Sequence, residues 1–472
     1  MRLQQLEITE CDLKFAVRRK EVRQVPGSRE ISTEEIRQLI EQLGACDSVR
    51  LRAEHTLVRI GDPAVDLLIE ATRDERSGVR ESAAWVLGQM EAPRSLDALE
   101  RLLHDSDHHV RIYAVGAIGN IGGERATDML VEVIKRAEED EDAADHAAGF
   151  FGWMEEPAAP ILLGIWRTGS NAARSAIAYQ LGETADPSIA DEIAPSLADP
   201  QIRLDTAVAL GMLGDSRALA PLVDCLRSDF ESYSASNAQL GLIGLGGSAV
   251  EPLLDVARRF DDERRLEALE VLGKIGDASA IEPLRDLECD DGDRLIVTCA
   301  RAKCGDLSVA DQLLAMLRDA RDPAECDPED YVDIAGAVGR LGKPVIGQLA
   351  EIAATGNRYA REEAADALSE TGETEAIEPL ATMLDDPDAN IRVSAVGNLG
   401  LLADSLPRES KLTCLELIEN RLKNDPELEV RGESALQVIC LRSDLGLPAN
   451  PLAEEAADEW TEEFLRRNEK PA

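Results

Sequence analysis

The chain has 472 residues, 44% of them hydrophobic but only 3% aromatic, and a formal net charge of −42. Without a basic stripe to hold phosphates, nucleic acid is excluded as its main ligand. Nine scattered cysteines, an odd number, exclude a disulfide framework and point to reduced thiols in a cytoplasmic protein.

The core this composition allows is aliphatic and rich in Ala, which suits close stacking of helices. Only nine of the 50 basic residues are Lys. Acid excess with scarce Lys, spread along the whole chain, reads as adaptation to salt in a halophilic host, because high net charge keeps a protein soluble where salt screens repulsion. The alternative is an acidic surface for a basic partner. The N-terminus lacks the apolar core of a signal peptide, and no window reaches 18 apolar residues, so no membrane insertion is expected.

Residues 1–31 stand apart as an extension with a basic cluster: Lys14, Arg18, Arg19, Lys20, Arg23 and Arg29. They read as an arm held against the acidic body, or as a docking segment for an acidic partner. Ser32 and Glu35 form a capping box that predicts a helix over about 33–43.

From Asp47 a unit of about 30 residues recurs. Arg50, Arg80 and Arg111 are 30 and 31 residues apart, each after Val. Each unit reads as one helix, a short turn with Asp, a second helix opening with Val-Arg, and a Gly stop. Later copies carry Ile202-Arg203, Arg265, Arg361, Ile391-Arg392 and Val430-Arg431. The unit at 138–167 is irregular. It opens on the acidic run 138–142, lacks Val-Arg and carries Phe150, Phe151, Trp153 and Trp166. Residues 319–330 form a polar insertion. The solenoid is expected over 32–442, and 443–472 is an acidic tail or terminal cap.

This pattern resembles HEAT repeats, in particular the PBS-lyase HEAT-like variety. The resemblance rests on the Asp-x5-Arg spacing at Asp74/Arg80, Asp105/Arg111, Asp386/Arg392 and Asp425/Arg431, joined to Leu-Gly-x-x-Gly-Asp turns such as that starting at Leu272. It implies an all-α, right-handed solenoid of about 12 stacked helix pairs with the Val-Arg helices on the concave side. Asp near the turn suits a helix N-terminus. Arg one turn into the helix can reach the Asp of its own or a neighbouring repeat. Asp74, Arg80, Asp105, Arg111, Arg203, Asp386, Arg392, Asp425 and Arg431 are therefore read as a structural ladder.

Chemistry is sparse. His104, Asp105, Asp107, His108 and His109 crowd one turn, but that turn is the ordinary one of its repeat, and no Cys lies at a zinc-type spacing. Deoxyhypusine hydroxylases are HEAT-type enzymes that hold two irons through His-Glu pairs, and this chain contains no His-Glu dipeptide. No catalytic, cofactor or metal residue is assigned. The aromatic concentration Trp85, Tyr113, Phe150, Phe151, Trp153, Trp166 and Tyr179 supplies the candidate partner-binding residues, with core filling as the competing reading. The expected function is a non-enzymatic interaction scaffold or adaptor gripping another protein. Members of the resembled family in halophilic archaea serve taxis signalling. The alternatives are a bilin-lyase-like enzyme subunit, which the family name suggests, and an assembly factor or chaperone.

Overall fold

The computed structural model describes residues 31–45, 47–153, 158–228, 233–260, 262–289, 293–321 and 332–467. The basic cluster Lys14–Arg29, the side chain of Trp153 and most of the polar insertion lie outside the described residues. Every regular element among the described residues is helical. The chain divides into two compact units, with the boundary between Leu245 and Gly246.

In the first unit the helices are α1 (Thr33–Gln42), α2 (Asp47–Ile60), α3 (Asp62–Ala71), α4 (Ser77–Gln89), α5 (Leu96–Leu102), α6 (His108–Ile121) and α7 (Gly123–Lys135). They continue as α8 (Glu141–Gly149), α9 (Ala159–Thr168), α10 (Asn171–Glu183), α11 (Ala190–Ile193), α12 (Arg203–Met212), α13 (Leu219–Arg227) and α14 (Tyr233–Leu245). The Ser32 hydroxyl accepts from the Glu35 N–H at 3.3 Å, and the Glu35 carboxylate accepts from the Ser32 N–H at 2.8 Å, so the capping box forms at α1.

The second unit holds α15 (Val250–Arg259), α16 (Glu263–Ile275), α17 (Ile281–Arg285), α18 (Asp293–Lys303), α19 (Ala310–Arg318), α20 (Ile334–Gly339) and α21 (Ile346–Thr355). It continues with α22 (Arg358–Glu370), α23 (Ile377–Met383), α24 (Ala389–Ser405), α25 (Arg408–Asn424), α26 (Leu428–Asp444) and α27 (Pro451–Arg467).

Short polar segments set the period. After the second helix of a repeat, Gly214 and Gly305 take positive φ of 76° and 94°, which ends the helix without the steric cost a Cβ would bring. The Asp that follows accepts the N–H two residues on, as Asp215 does from Arg217 at 2.9 Å and Asp306 from Ser308 at 3.0 Å. That turn starts the next helix through one 3-10 turn. A second Asp caps the following Val-Arg helix: Asp107 accepts from His109, Asp262 from Arg264 and Asp388 from Asn390.

Within each unit the helices form two layers. The second helices of the repeats pack on one another in sequence, α4 on α6 and α10 on α12 on α14 in the first unit, α16 on α18 and α22 on α24 on α26 in the second. The intervening helices cover this layer from one side. Small residues permit the close layer. A Cβ on Gly211 of α12 would lie 2.5 Å from the Gly241 carbonyl oxygen of α14, so backbone meets backbone there. Between the layers lies an aliphatic core with Leu57, Leu87, Ile118, Leu181 and Leu210 in one unit and Leu272, Leu368, Leu399 and Val438 in the other, all fully buried. Each such side chain stabilises the fold by roughly 1.5–3 kcal/mol.

In the segment read as an acidic tail or terminal cap, α27 packs along α26 with the Trp460 ring seated on Gly432. Among the described residues one stretch, Asn237–Arg259, is long and apolar enough by length and composition to cross a membrane, although Gln239, Ser248, Glu251 and Asp255 interrupt it. Half of it is buried inside the protein. Its Gly, Leu and Ala content has a packing reason, because the Gly residues of α14 meet α12.

Candidate functional site

The arginines of the repeats have two arms. In the first unit Arg80 donates from Nη1 to the Asp74 carbonyl at 2.9 Å. Its Nε and Nη2 grip the Asp105 carboxylate of the next repeat at 2.8 and 2.6 Å. Arg111 repeats this, donating to the Asp105 carbonyl at 3.0 Å and pairing with the Asp140 carboxylate. In the second unit Arg392 donates to the Asp386 carbonyl at 2.9 Å and grips Asp425 at 2.8 and 2.9 Å. Arg431 donates to the Asp425 carbonyl at 3.2 Å and reaches Glu459 of α27 at 3.7 Å. Each arm therefore ties a helix start either to its own turn or to the next repeat, in the bidentate geometry a guanidinium favours. The Arg80 guanidinium beside Asp105 holds that carboxyl below the usual range against the opposing effect of burial.

Other ladder positions depart from this scheme. Arg203 donates to the Leu197 carbonyl at 3.0 Å. Asp74 is held by Arg76 of its own repeat, which lowers its carboxyl to about 2. Spacing alone missed two acidic members of the ladder: Asp140 belongs to the irregular repeat, and Asp293 pairs with Arg265 at 3.0 Å. Arg361, which the period marks as a copy, donates to Asp386 at 3.4 Å. Asp140 follows Arg111 by 29 residues, close to the repeat length, and that distance was the available signal.

The aromatic residues do not form one surface. Phe151 and Trp166 are each only 3% exposed, so neither is available as a partner anchor; they fill the core beside α8, whose buried residues are all Ala. Phe150 is half-buried with its ring on Gly119 of α6, a place open only because Gly119 has no side chain. Trp85 is half-buried, edge-to-face with His55 at 6.3 Å between centroids. Tyr113 is half-buried as well. Tyr179 on α10 is 41% exposed and is the member of the set most open to solvent among the described side chains.

Beside Tyr179 the same helix face is polar. Ser175 on α10 donates to Asp205 on α12 at 2.7 Å. Asp145 on α8 is solvent-exposed as a residue, yet desolvation by the surrounding helices raises its carboxyl. Glu141, Asp142 and Asp205 add like charge, and together these push it up to about 6.

A groove of about 670 Å³ opens in the same unit between α5 and α7. Leu103, Val115, Met129 and Val133 give it an apolar floor, and charged side chains form its rim, including Glu139 and Asp140 from the acidic run that opens the irregular repeat. Arg111 and its two partner segments line one end. The groove thus sits where a regular repeat meets the irregular one.

The His-rich turn divides, with the His108 and His109 rings edge-to-face at 5.5 Å between centroids. His104 meets Arg136 at 3.4 Å and His108 meets Asp142 at 3.5 Å. Among the described residues no three His, Cys, Asp or Glu side chains are grouped to hold a metal ion. The five His are followed in sequence by Thr, Asp, His, Val and Ala, so these residues do not fit an iron site built from His-Glu pairs. Cys299, Cys304 and Cys414 are buried thiols, which burial pushes up to about 11.

Stacked helix pairs, a two-layer arrangement and a repeating Arg–Asp tie define the class as an all-α solenoid. The chain belongs to the HEAT-repeat proteins. The family model described as HEAT repeats matches residues 36–111 and 346–439, and the PBS lyase HEAT-like repeat matches 110–136, 202–228 and 264–287. Deoxyhypusine hydroxylase-B of Oryza sativa subsp. japonica is 37% identical over 86 residues, which are 18% of this chain and 28% of that protein. Among solved structures, importin beta is 14% identical with a TM-score of 0.46, over 98% of this chain and 76% of that one. A Kap95:Nup1 complex gives 14% and 0.42, over 95% and 69%. Human deoxyhypusine hydroxylase in complex with glycerol gives 16% and 0.22, over 79% and 96%.

Proposed function

We propose that this protein is a non-enzymatic scaffold or adaptor that binds another protein at the irregular repeat of its first unit. The observation that carries the reading is the groove between α5 and α7, apolar at its floor and charged at its rim. Apolar floor with polar rim is the make-up of a protein-binding patch. Tyr179 on the other layer offers a second, smaller contact. A tagged full-length chain captured from its own host tests this. A protein recovered in stoichiometric amount supports it.

The second reading is an enzyme or enzyme subunit. The segment similar to deoxyhypusine hydroxylase-B favours it, and the absence of any His-Glu dipeptide weighs against that particular chemistry. A bait that carries a chromophore or other small molecule and no protein partner would favour this reading.

A further inference from the structure

The rim of the groove carries six carboxylates, Glu100, Asp105, Asp128, Glu132, Glu139 and Asp140. Most of its carboxylates already have a cation. Glu100 pairs with Arg125 at 3.2 Å, Asp105 with Arg80 at 2.6 Å, Glu132 with Lys135 at 2.8 Å and Asp140 with Arg111. Asp128 and Glu139 are different: both are exposed, and neither side chain has a hydrogen-bond or ion-pair partner among the described residues. Across the mouth, the guanidinium of Arg136 meets only the His104 ring, at 3.4 Å, and no carboxylate.

We infer that the groove between α5 and α7 receives an amphipathic helix of a partner protein, aliphatic on the face that enters and bearing Lys or Arg along its edges. The inference rests on the scaffold reading. A trough between two neighbouring helices with an apolar floor accepts a third helix, whose side chains at i, i+3, i+4 and i+7 fill it. The floor offers aliphatic contact through Leu103, Val133 and the edge of Met129, over a fully buried Val115, and no aromatic cage. The two unpaired carboxylates select cations on the incoming edges, and the charge of the whole chain steers a basic segment toward it. Arg136 opposes such a segment, which gives the inference a test of sign. Removing the acids weakens binding, while removing Arg136 strengthens it.

The probe is a labelled model peptide with Leu at helical spacing and Lys on both flanks, titrated into the full-length chain and followed by fluorescence polarisation. Its counterpart carries Glu in place of every Lys. The Lys peptide is expected to bind, with affinity that falls as KCl rises, and the Glu peptide is expected not to bind. Asp128→Asn with Glu139→Gln should weaken the Lys peptide about fivefold, the size expected of two rim charges. Val133→Asn on the floor should also weaken it, and Arg136→Gln should tighten it. Glu409→Gln with Glu416→Gln removes the same charge from exposed positions of the other unit and should change nothing. If that control weakens binding as much as the groove pair, only bulk acidity is at work and the inference is overturned. Preference for the Glu peptide, with loss of binding in Arg136→Gln, overturns it in the opposite sense. Either result leaves the scaffold reading standing if a stoichiometric protein is still captured from the host.

Discussion

The repeats from Arg358 to Asp444 and the irregular stretch from Glu138 to Arg167 are built on one plan and solve it differently. In the former, Arg392 reaches forward to a buried Asp425 with both nitrogens and back to its own turn with the third. In the latter, the Val-Arg of α8 is missing, Asp140 receives Arg111 from behind, and nothing in the α8 sequence passes the tie forward in the same way. Aromatic volume takes over. Trp166 and Phe151 fill the core and Phe150 leans on Gly119. The difference teaches that regular repeats are held by polar ties at their turns, while a degenerate one is held by bulk. The groove lies at the junction of the two regimes.

The strongest way to break this comparison is to remove one holding device on each side. Arg392→Ala should strip the buried Asp425 carboxylate of its two-nitrogen grip, leaving Arg421 at 4.0 Å as its nearest cation, and cost about 3 kcal/mol. Trp166→Ala should cost about 3–5 kcal/mol through the cavity it leaves. Urea unfolding checks both, and a cost under about 1 kcal/mol for either would remove that half of the contrast. Next in size is Gly211→Val, which forces a side chain onto the α14 backbone and should cost about 1–3 kcal/mol in the same assay.

Titration gives smaller effects of opposite sign. Burial alone would raise the Asp306 carboxyl, but the Ser308 hydroxyl and N–H and the Arg301 guanidinium hold it down at about 2. Its contribution is present above the ordinary carboxylate range near pH 4 and is lost as pH falls toward 2. Asp306→Asn should therefore lower the melting temperature at neutral pH and change it little at pH 2. Asp145 runs the other way. Its carboxyl is raised to about 6, so its contribution is full below about pH 4 and is lost as pH rises through 6. Asp145→Asn should raise the melting temperature at neutral pH and leave it unchanged near pH 4. Least of all, Tyr179→Ala should alter stability by no more than about 0.5 kcal/mol while reducing partner capture.

Much of the architecture was legible because it is written in short polar words. Gly ends a helix, Asp starts the next, and Val-Arg marks the inner layer, so the period shows even where identity is low. Asp140 was harder to see, because its role depends on an Arg 29 residues earlier and its own repeat lacks the marker. The fate of the aromatics was not legible at all. Trp166 and Tyr179 are both large residues in helices of neighbouring repeats, and only packing decides that one is buried and the other 41% exposed. The groove was foreshadowed only by the acidic run, whose charges mark the rim; the floor comes from α5, α6 and α7, whose apolar residues look like any other core positions in the sequence. The helix α27 was expected as a cap, but the seat of Trp460 on Gly432 is a contact no periodicity announces.

Amide hydrogen exchange on the full-length chain, with and without the protein captured from its host, tests the central claim most directly. Exchange slowed over residues 96–149, which carry α5 to α8, with the repeats from 358 to 444 unchanged, is the predicted result. Slowing confined to 358–444, with 96–149 untouched, would contradict the assignment of binding to the irregular repeat.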